Sequence, residues 1–239
     1  MTDRHLDWEG CYNARDLGGM RTAGGHTIRR GAVVRSDELD RITREARFAL
    51  VDHGVRTIVD LRDDDERELA LRGTPELAFV HVPLHDRADA QFRRHCLDDG
   101  LDGTPLYFRP FLELKPERCV AAVAAVARAR PGGVLIHSGL GRDRAGLLTL
   151  VLLVLAGVDA GSIADDYDLS AERLPALWLA AGLPDQGHLV KEQLVRHHTT
   201  AREVIVSLIE SLDIPGLLRT AGLSHEDVAA LRARMLVAA

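Results

Sequence analysis

An α/β domain closed by a C-terminal helical cap or tail is the fold class this sequence predicts. Short β-branched runs alternate with helical segments in the first part of the chain, and from Ser162 onward only helical patterns remain. Near the middle, a strand-like run passes through a Gly-rich turn straight into an apolar helix, which sets a backbone-lined loop between two buried elements.

Thr43 is placed to cap a helix that runs to His53, with Glu45 in its first turn and Gly54 as its stop. Thr57-Ile58-Val59-Asp60-Leu61 follows as a strand, and 78–84 as another, ended near Pro83. Asp-Asp-Gly and Asp-Gly-Thr-Pro mark 97–105 as a loop. Residues 116–130 read as a helix with Val120, Val123 and Val126 on one stripe, stopped by Pro131-Gly132-Gly133. A strand over 134–137 feeds the Gly-rich turn, and 145–156 is a helix apolar nearly all round, which places it in the core. Ser224 with Asp227 opens a last helix that carries Val228, Leu231 and Met235. No repeat or low-complexity linker divides the chain. The expectation is one domain over 1–239, with 1–160 as α/β core and 161–239 as a helical lid or tail. Leu174, Leu177 and Trp178 give the segment 170–198 an apolar face, suited to a lid or to an ordinary packed helix pair.

Composition narrows the function. A hydrophobic share of 46% is that of a globular core, and a net charge of −6 argues against nonspecific nucleic-acid binding. Cys11, Cys96 and Cys119 form no C-x-x-C pair and leave an odd count, which suits a reducing cytosol and a cytoplasmic protein without a disulfide framework. The N-terminus is charged and lacks the apolar stretch of a signal peptide. The longest apolar run, 147–158, falls short of the ~20 residues of a membrane span. His197 and His198 are adjacent and so point apart, and the sequence predicts neither a metal site nor a cofactor.

The chemistry concentrates in His137-Ser138-Gly139-Leu140-Gly141-Arg142-Asp143-Arg144-Ala145-Gly146. Several N–H groups and the positive end of the following helix dipole converge there, and Arg144 adds a planar fork that matches a phosphate. A plain strand-to-helix turn would not need two arginines and an acid between its glycines. A dinucleotide-binding turn would share Gly139-Leu140-Gly141 but requires Gly where Arg144 stands, and an ATP-type loop would need a following Gly-Lys-Ser/Thr. A phosphate-monoester cradle uses all the residues present.

That loop resembles the His-Cys, five residues, Arg signature of the protein-tyrosine phosphatases, with Ser138 in the cysteine's place. The chain as a whole resembles the atypical bacterial tyrosine/serine phosphatases of that superfamily, some of which also accept phosphoinositides. Asn13-Ala14-Arg15-Asp16-Leu17-Gly18-Gly19, Arg35-Ser36 with Glu38-Leu39, and Asp60-Leu61-Arg62 with Glu66 match its blocks. Ala164-Asp165-Asp166-Tyr167 and the stretch from Leu217 to Ser224 are similar too.

The resemblance implies a phosphatase-like fold with a mostly parallel central sheet flanked by helices. It implies hydrolysis of phosphotyrosine, phosphoinositide or small phosphate monoesters, with inorganic phosphate as product. Backbone N–H groups of Gly139, Leu140, Gly141 and Arg142, on to Arg144, would hold the phosphate, and the Arg144 side chain would grip two oxygens. Arg142 takes the place of a frequent Lys. Asp143 and Asp86 are the two places for the acid that protonates the leaving oxygen. Asp16, Arg62 and Glu66 would form ion pairs that brace the loop, and His137 would orient it. Ser138 leaves three readings open: an engineered trap, the residue of a pseudophosphatase that only binds phospho-ligands, or a slow nucleophile.

Overall fold

Alternation along the strands sends successive side chains to opposite faces of a sheet, and this builds the molecule's two apolar layers. The computed structural model describes residues 4–66, 74–85, 88–98, 100–101 and 103–237. In chain order its elements begin with β1 (Arg15–Asp16), β2 (Thr27–Ile28), β3 (Val33–Ser36) and α1 (Arg44–Asp52). Then come β4 (Val55–Asp60), β5 (Ala78–His81), α2 (Ala90–Phe92), α3 (Phe108–Leu114), α4 (Pro116–Ala127) and β6 (Gly133–His137). The remainder is α5 (Arg144–Ala156), α6 (Ala160–Ala181), α7 (Gly187–Arg196), α8 (Ala201–Ser211), α9 (Ile214–Thr220), α10 (His225–Met235) and β7 (Leu236–Val237).

The main sheet has the order β1-β3-β6-β4-β5, with β3, β6, β4 and β5 parallel and β1 antiparallel to β3. The mostly parallel sheet flanked by helices is therefore present. Val33, Val59, Val134 and Ile136 turn to one layer, with α4, α5 and the C-terminal helices. Val34, Ile58 and Leu135 turn to the other, against Ala46 and Leu50 of α1. β6 is central and buried at all five residues, and every residue of α5 except Val154 is buried. A parallel strand covered on both faces must be apolar throughout, as this one reads.

Thr43 caps α1, accepting the Ala46 N–H at 3.3 Å, and Gly54 follows at φ +101°. The strand expected over 78–84 stops at His81, ahead of Pro83, which has no N–H to give a ladder. The helix expected over 116–130 ends at Ala127. One expectation fails outright: the region 161–239 is not helical to its end. β7 leaves the last helix and pairs antiparallel with β2 near the start of the chain. Two residues carry no readable period, so this strand exists only through its distant partner.

Candidate active site

β6 releases the chain at the carboxyl end of the sheet, where open α/β folds place their ligands. Ser138–Asp143 form the turn, and α5 begins at Arg144. Gly141 stands at φ +66°, and a Cβ there would lie 2.5 Å from the Asp37 backbone nitrogen, so both conformation and space demand glycine.

The loop's carbonyls are tied outward. Gly139 O accepts the Glu38 N–H at 3.0 Å, Leu140 O accepts from Asn13 Nδ2 at 2.9 Å, and Gly141 O accepts from Arg35 Nη2 at 2.7 Å. In a trans peptide the next N–H points the opposite way, so those of Leu140, Gly141 and Arg142 turn inward. Among the described residues, the N–H groups from Gly139 to Asp143 donate to no other group of the protein. Ser138, 2% exposed, sits at the start of α5 and its Oγ accepts the Ala145 N–H at 3.4 Å.

A cavity of about 380 Å³ lies over this turn. Ser138, Gly139, Asp143 and Arg144 form part of its lining. Glu66 and His85 line it too, and Leu177, Ala181 and Leu183 add an apolar wall from the end of α6 and just beyond. Leu174, Leu177 and Trp178 pack with Leu140 of the loop itself.

Each loop arginine has its own acid. Arg144 makes a two-pronged pair with Glu66, one arm at 2.7 Å, and Glu66 is oriented in turn by the Asp63 N–H at 2.8 Å. Burial opposes the charge on Arg144, but Glu66 outweighs it and its pKa rises. Arg142 reaches both oxygens of Asp143, at 2.9 and 3.3 Å, with the same balance of causes. Asp63, Asp65 and Glu66 bring carboxylate oxygens within 4.8 Å of one another, but Glu66 is already committed to Arg144.

The other expected residues separate. Arg62 pairs with Asp60 and Asp40, and Asp60 lies 3.7 Å from His137, so this cluster braces the strand that enters the loop. Burial alone would raise the Asp60 pKa, but His137 and Arg62 hold it below its ordinary value. Asp16 does not brace the loop. It accepts the Gly18 and Gly31 N–H groups and meets His53, closing the chain around β2, because antiparallel β1 carries it past Arg15, away from the loop end of the sheet, with its side chain on the opposite face. Asp86 lies outside the described residues.

Sequence reasoning assigned no role to Asn13, Arg35, Asp166 or His85. The first three stood in the matched blocks, which was the available signal. His85 offered none, since only folding carries it to the cavity. Asp166, fully buried on α6, receives Arg4 at 2.7 Å, Arg15 at 3.3 Å and Arg35 at 2.6 Å.

A sequence profile of the tyrosine phosphatase family matches residues 6–237. The chain is 30% identical over 200 residues to the triple specificity protein phosphatase PtpB of Mycobacterium tuberculosis, covering 70% of each protein. It is 31% identical over 182 residues to a putative tyrosine-protein phosphatase of Cupriavidus necator, covering 71% of this chain and 64% of that one. A tyrosine-protein phosphatase of Nostoc commune is 29% identical over 148 residues, 60% of this chain and 49% of its own. Among solved structures, P. aeruginosa TpbA, in a cysteine-to-serine form with phosphotyrosine, aligns with a TM-score of 0.44 at 16% identity, over 83% of this chain and 91% of that one.

Proposed function

We propose, for a chain that belongs to the tyrosine phosphatase family, that the cavity over Ser138 seats phosphate monoesters of the phosphotyrosine type and that the cradle is built for their hydrolysis. The observation that carries this reading is the ring of inward N–H groups. Among the described residues the N–H groups from Gly139 to Asp143 have no acceptor in the protein, and those of Leu140, Gly141 and Arg142 face inward at a helix N-terminus, which suits a tetrahedral dianion. Arg144, oriented by Glu66, stands at the edge of the same cavity and supplies a fork for two phosphate oxygens. The apolar wall of Leu177, Ala181 and Leu183 suits an aryl leaving group better than a bare sugar. The M. tuberculosis relative is named for triple specificity, which supports a substrate range beyond phosphotyrosine alone. Among the described residues no helix is long and apolar enough to cross a membrane.

Asp143 is the described candidate for protonating the leaving oxygen, and that role requires Arg142 to release one of its two oxygens. Ser138 Oγ occupies the place of the attacking atom. A thiol begins near pKa ~8.5 and a helix N-terminus lowers it by units, whereas an alcohol begins far higher and stays protonated. Binding therefore persists while attack on phosphorus is slow.

The test compares this chain with Ser138→Cys, using an aryl phosphate for turnover and inorganic phosphate for binding. Both forms are expected to bind phosphate, and the Cys form to hydrolyse at least about 1,000-fold faster. Binding by both forms without hydrolysis by either favours a phospho-ligand binding module. Absence of binding in both forms overturns the reading.

A further inference from the structure

We propose that Arg35, anchored by Asp166, is a positioning residue of the phosphate site: it holds the Gly141 and Arg142 carbonyls beneath the loop, and so aims the N–H groups of Arg142 and Asp143 at the bound anion. This rests on the phosphate-binding reading above and adds to it a side chain that never enters the cavity.

Arg35 is 1% exposed and works with two arms. Nη1 donates to Asp166 Oδ2 at 2.6 Å. Nη2 donates to Gly141 O at 2.7 Å and lies 3.4 Å from Arg142 O. Planarity converts each carbonyl held below into an N–H directed above. Two further observations indicate that the guanidinium's place is specified rather than incidental. Among the described residues its buried Nε has no hydrogen-bond partner, so the contacts that place it are those of its two terminal nitrogens. And α5 carries a glycine in its first turn, at Gly146, where a Cβ would stand 3.1 Å from Arg35 Nη2 and 3.3 Å from the Tyr167 ring. Glycine weakens a helix relative to alanine; here it opens the passage through which Arg35 reaches the loop.

The charge balance points the same way. Arg142 is matched by Asp143 and Arg144 by Glu66, but Arg4, Arg15 and Arg35 share the single carboxylate of Asp166. Burial first, and the neighbouring Arg35 second, push the Arg15 guanidinium down against the pull of Asp166. Among the described residues the floor of the cradle thus carries more arginines than carboxylates, facing a loop suited to an anion. Asp166 also ties this floor to α6, the helix whose Leu177 and Ala181 wall the cavity.

The experiment titrates inorganic phosphate into the full chain, Arg35→Lys and Asp166→Asn, following heat and the backbone amide resonances, with melting temperatures measured alongside. Lysine keeps a positive charge beside Asp166 but has no second arm for Gly141 O. Arg35→Lys is expected to weaken phosphate binding about tenfold and to blunt the phosphate-induced shifts of the Arg142 and Asp143 amides, with melting within a few degrees of the parent. Asp166→Asn, which frees Arg35 from its anchor, is expected to weaken binding in the same direction. A merely structural role would lower the folded fraction but leave its Kd and amide shifts unchanged. Parent-like Kd and shifts in the folded Arg35→Lys or Asp166→Asn form overturn the inference alone, whereas absence of phosphate binding in the parent overturns it together with the proposed function.

Discussion

Asp166 and Asp37 are both buried carboxylates beside the same loop, and they are pushed in opposite directions. Asp37 accepts neutral donors: the Tyr12 N–H at 2.9 and 3.1 Å, the Asn13 N–H at 2.9 Å and the Ser36 hydroxyl at 3.1 Å. Burial dominates there and raises its pKa to about 6. Burial also presses upward on Asp166, but Arg15, Arg35 and Arg4 overcome it and hold the carboxyl well below the usual range. Depth alone therefore does not decide ionisation; the charge of the partners does. The loop rests between a floor where three guanidiniums meet Asp166 and a wall where Asp37 meets only neutral donors.

The largest break in this contrast comes from Asp166→Ala. It strands three arginines, two of them fully buried, without their counter-charge, and a loss of about 3–5 kcal/mol in denaturant unfolding is expected. A loss below 1 kcal/mol would mean that the floor is not held by this carboxylate. On the wall side, Gly141→Ala forces a side chain into the left-handed region and against the Asp37 and Ser36 backbone. A loss of about 2 kcal/mol is expected, together with weaker phosphate binding, and unfolding and titration on one sample check both.

The smallest effect sharpens the comparison through pH. A carboxyl whose folded pKa of about 6 exceeds its ordinary 3.8 binds its proton more tightly when folded. Its contribution to stability is complete below about pH 4 and is lost as pH rises through about 6. Asp37→Asn is expected to remove that fall, so the difference in stability between parent and variant should change across pH 4–6 and be flat above it. Asp166 has the opposite sign: its contribution is present above the ordinary carboxylate range and is lost only as pH falls through its depressed value. A flat difference for Asp37→Asn across pH 4–6 would place its proton in the ordinary range and end the contrast.

Much of the site was legible in order along the chain. The turn after 134–137, the buried helix behind it and the Thr43 cap all lie where local pattern put them, because each depends on residues within one or two turns of one another. Glu66 was expected in an ion pair and is in one, with Arg144. Asp16 had the same expectation and went elsewhere, since it lies one step past Arg15 on antiparallel β1 and faces the other side of the sheet. β7 and β2 were unreadable for a related reason: two-residue strands have no period, and pairing defines them.

By itself the amino-acid sequence determined a strand, a glycine-bearing turn and an apolar helix, with arginines and an acid at set places in the turn. Those features depend on neighbouring residues, and local sterics and hydrophobic periodicity are enough to specify them. Tertiary structure alone decided which way the turn's peptides face. Arg35 meets Gly141 across 106 positions, Asn13 meets Leu140 across 127, and Asp166 meets Arg35 across 131. A peptide's orientation is set by whatever accepts or donates on its far side, and only packing the sheet against α6 brings those partners into reach.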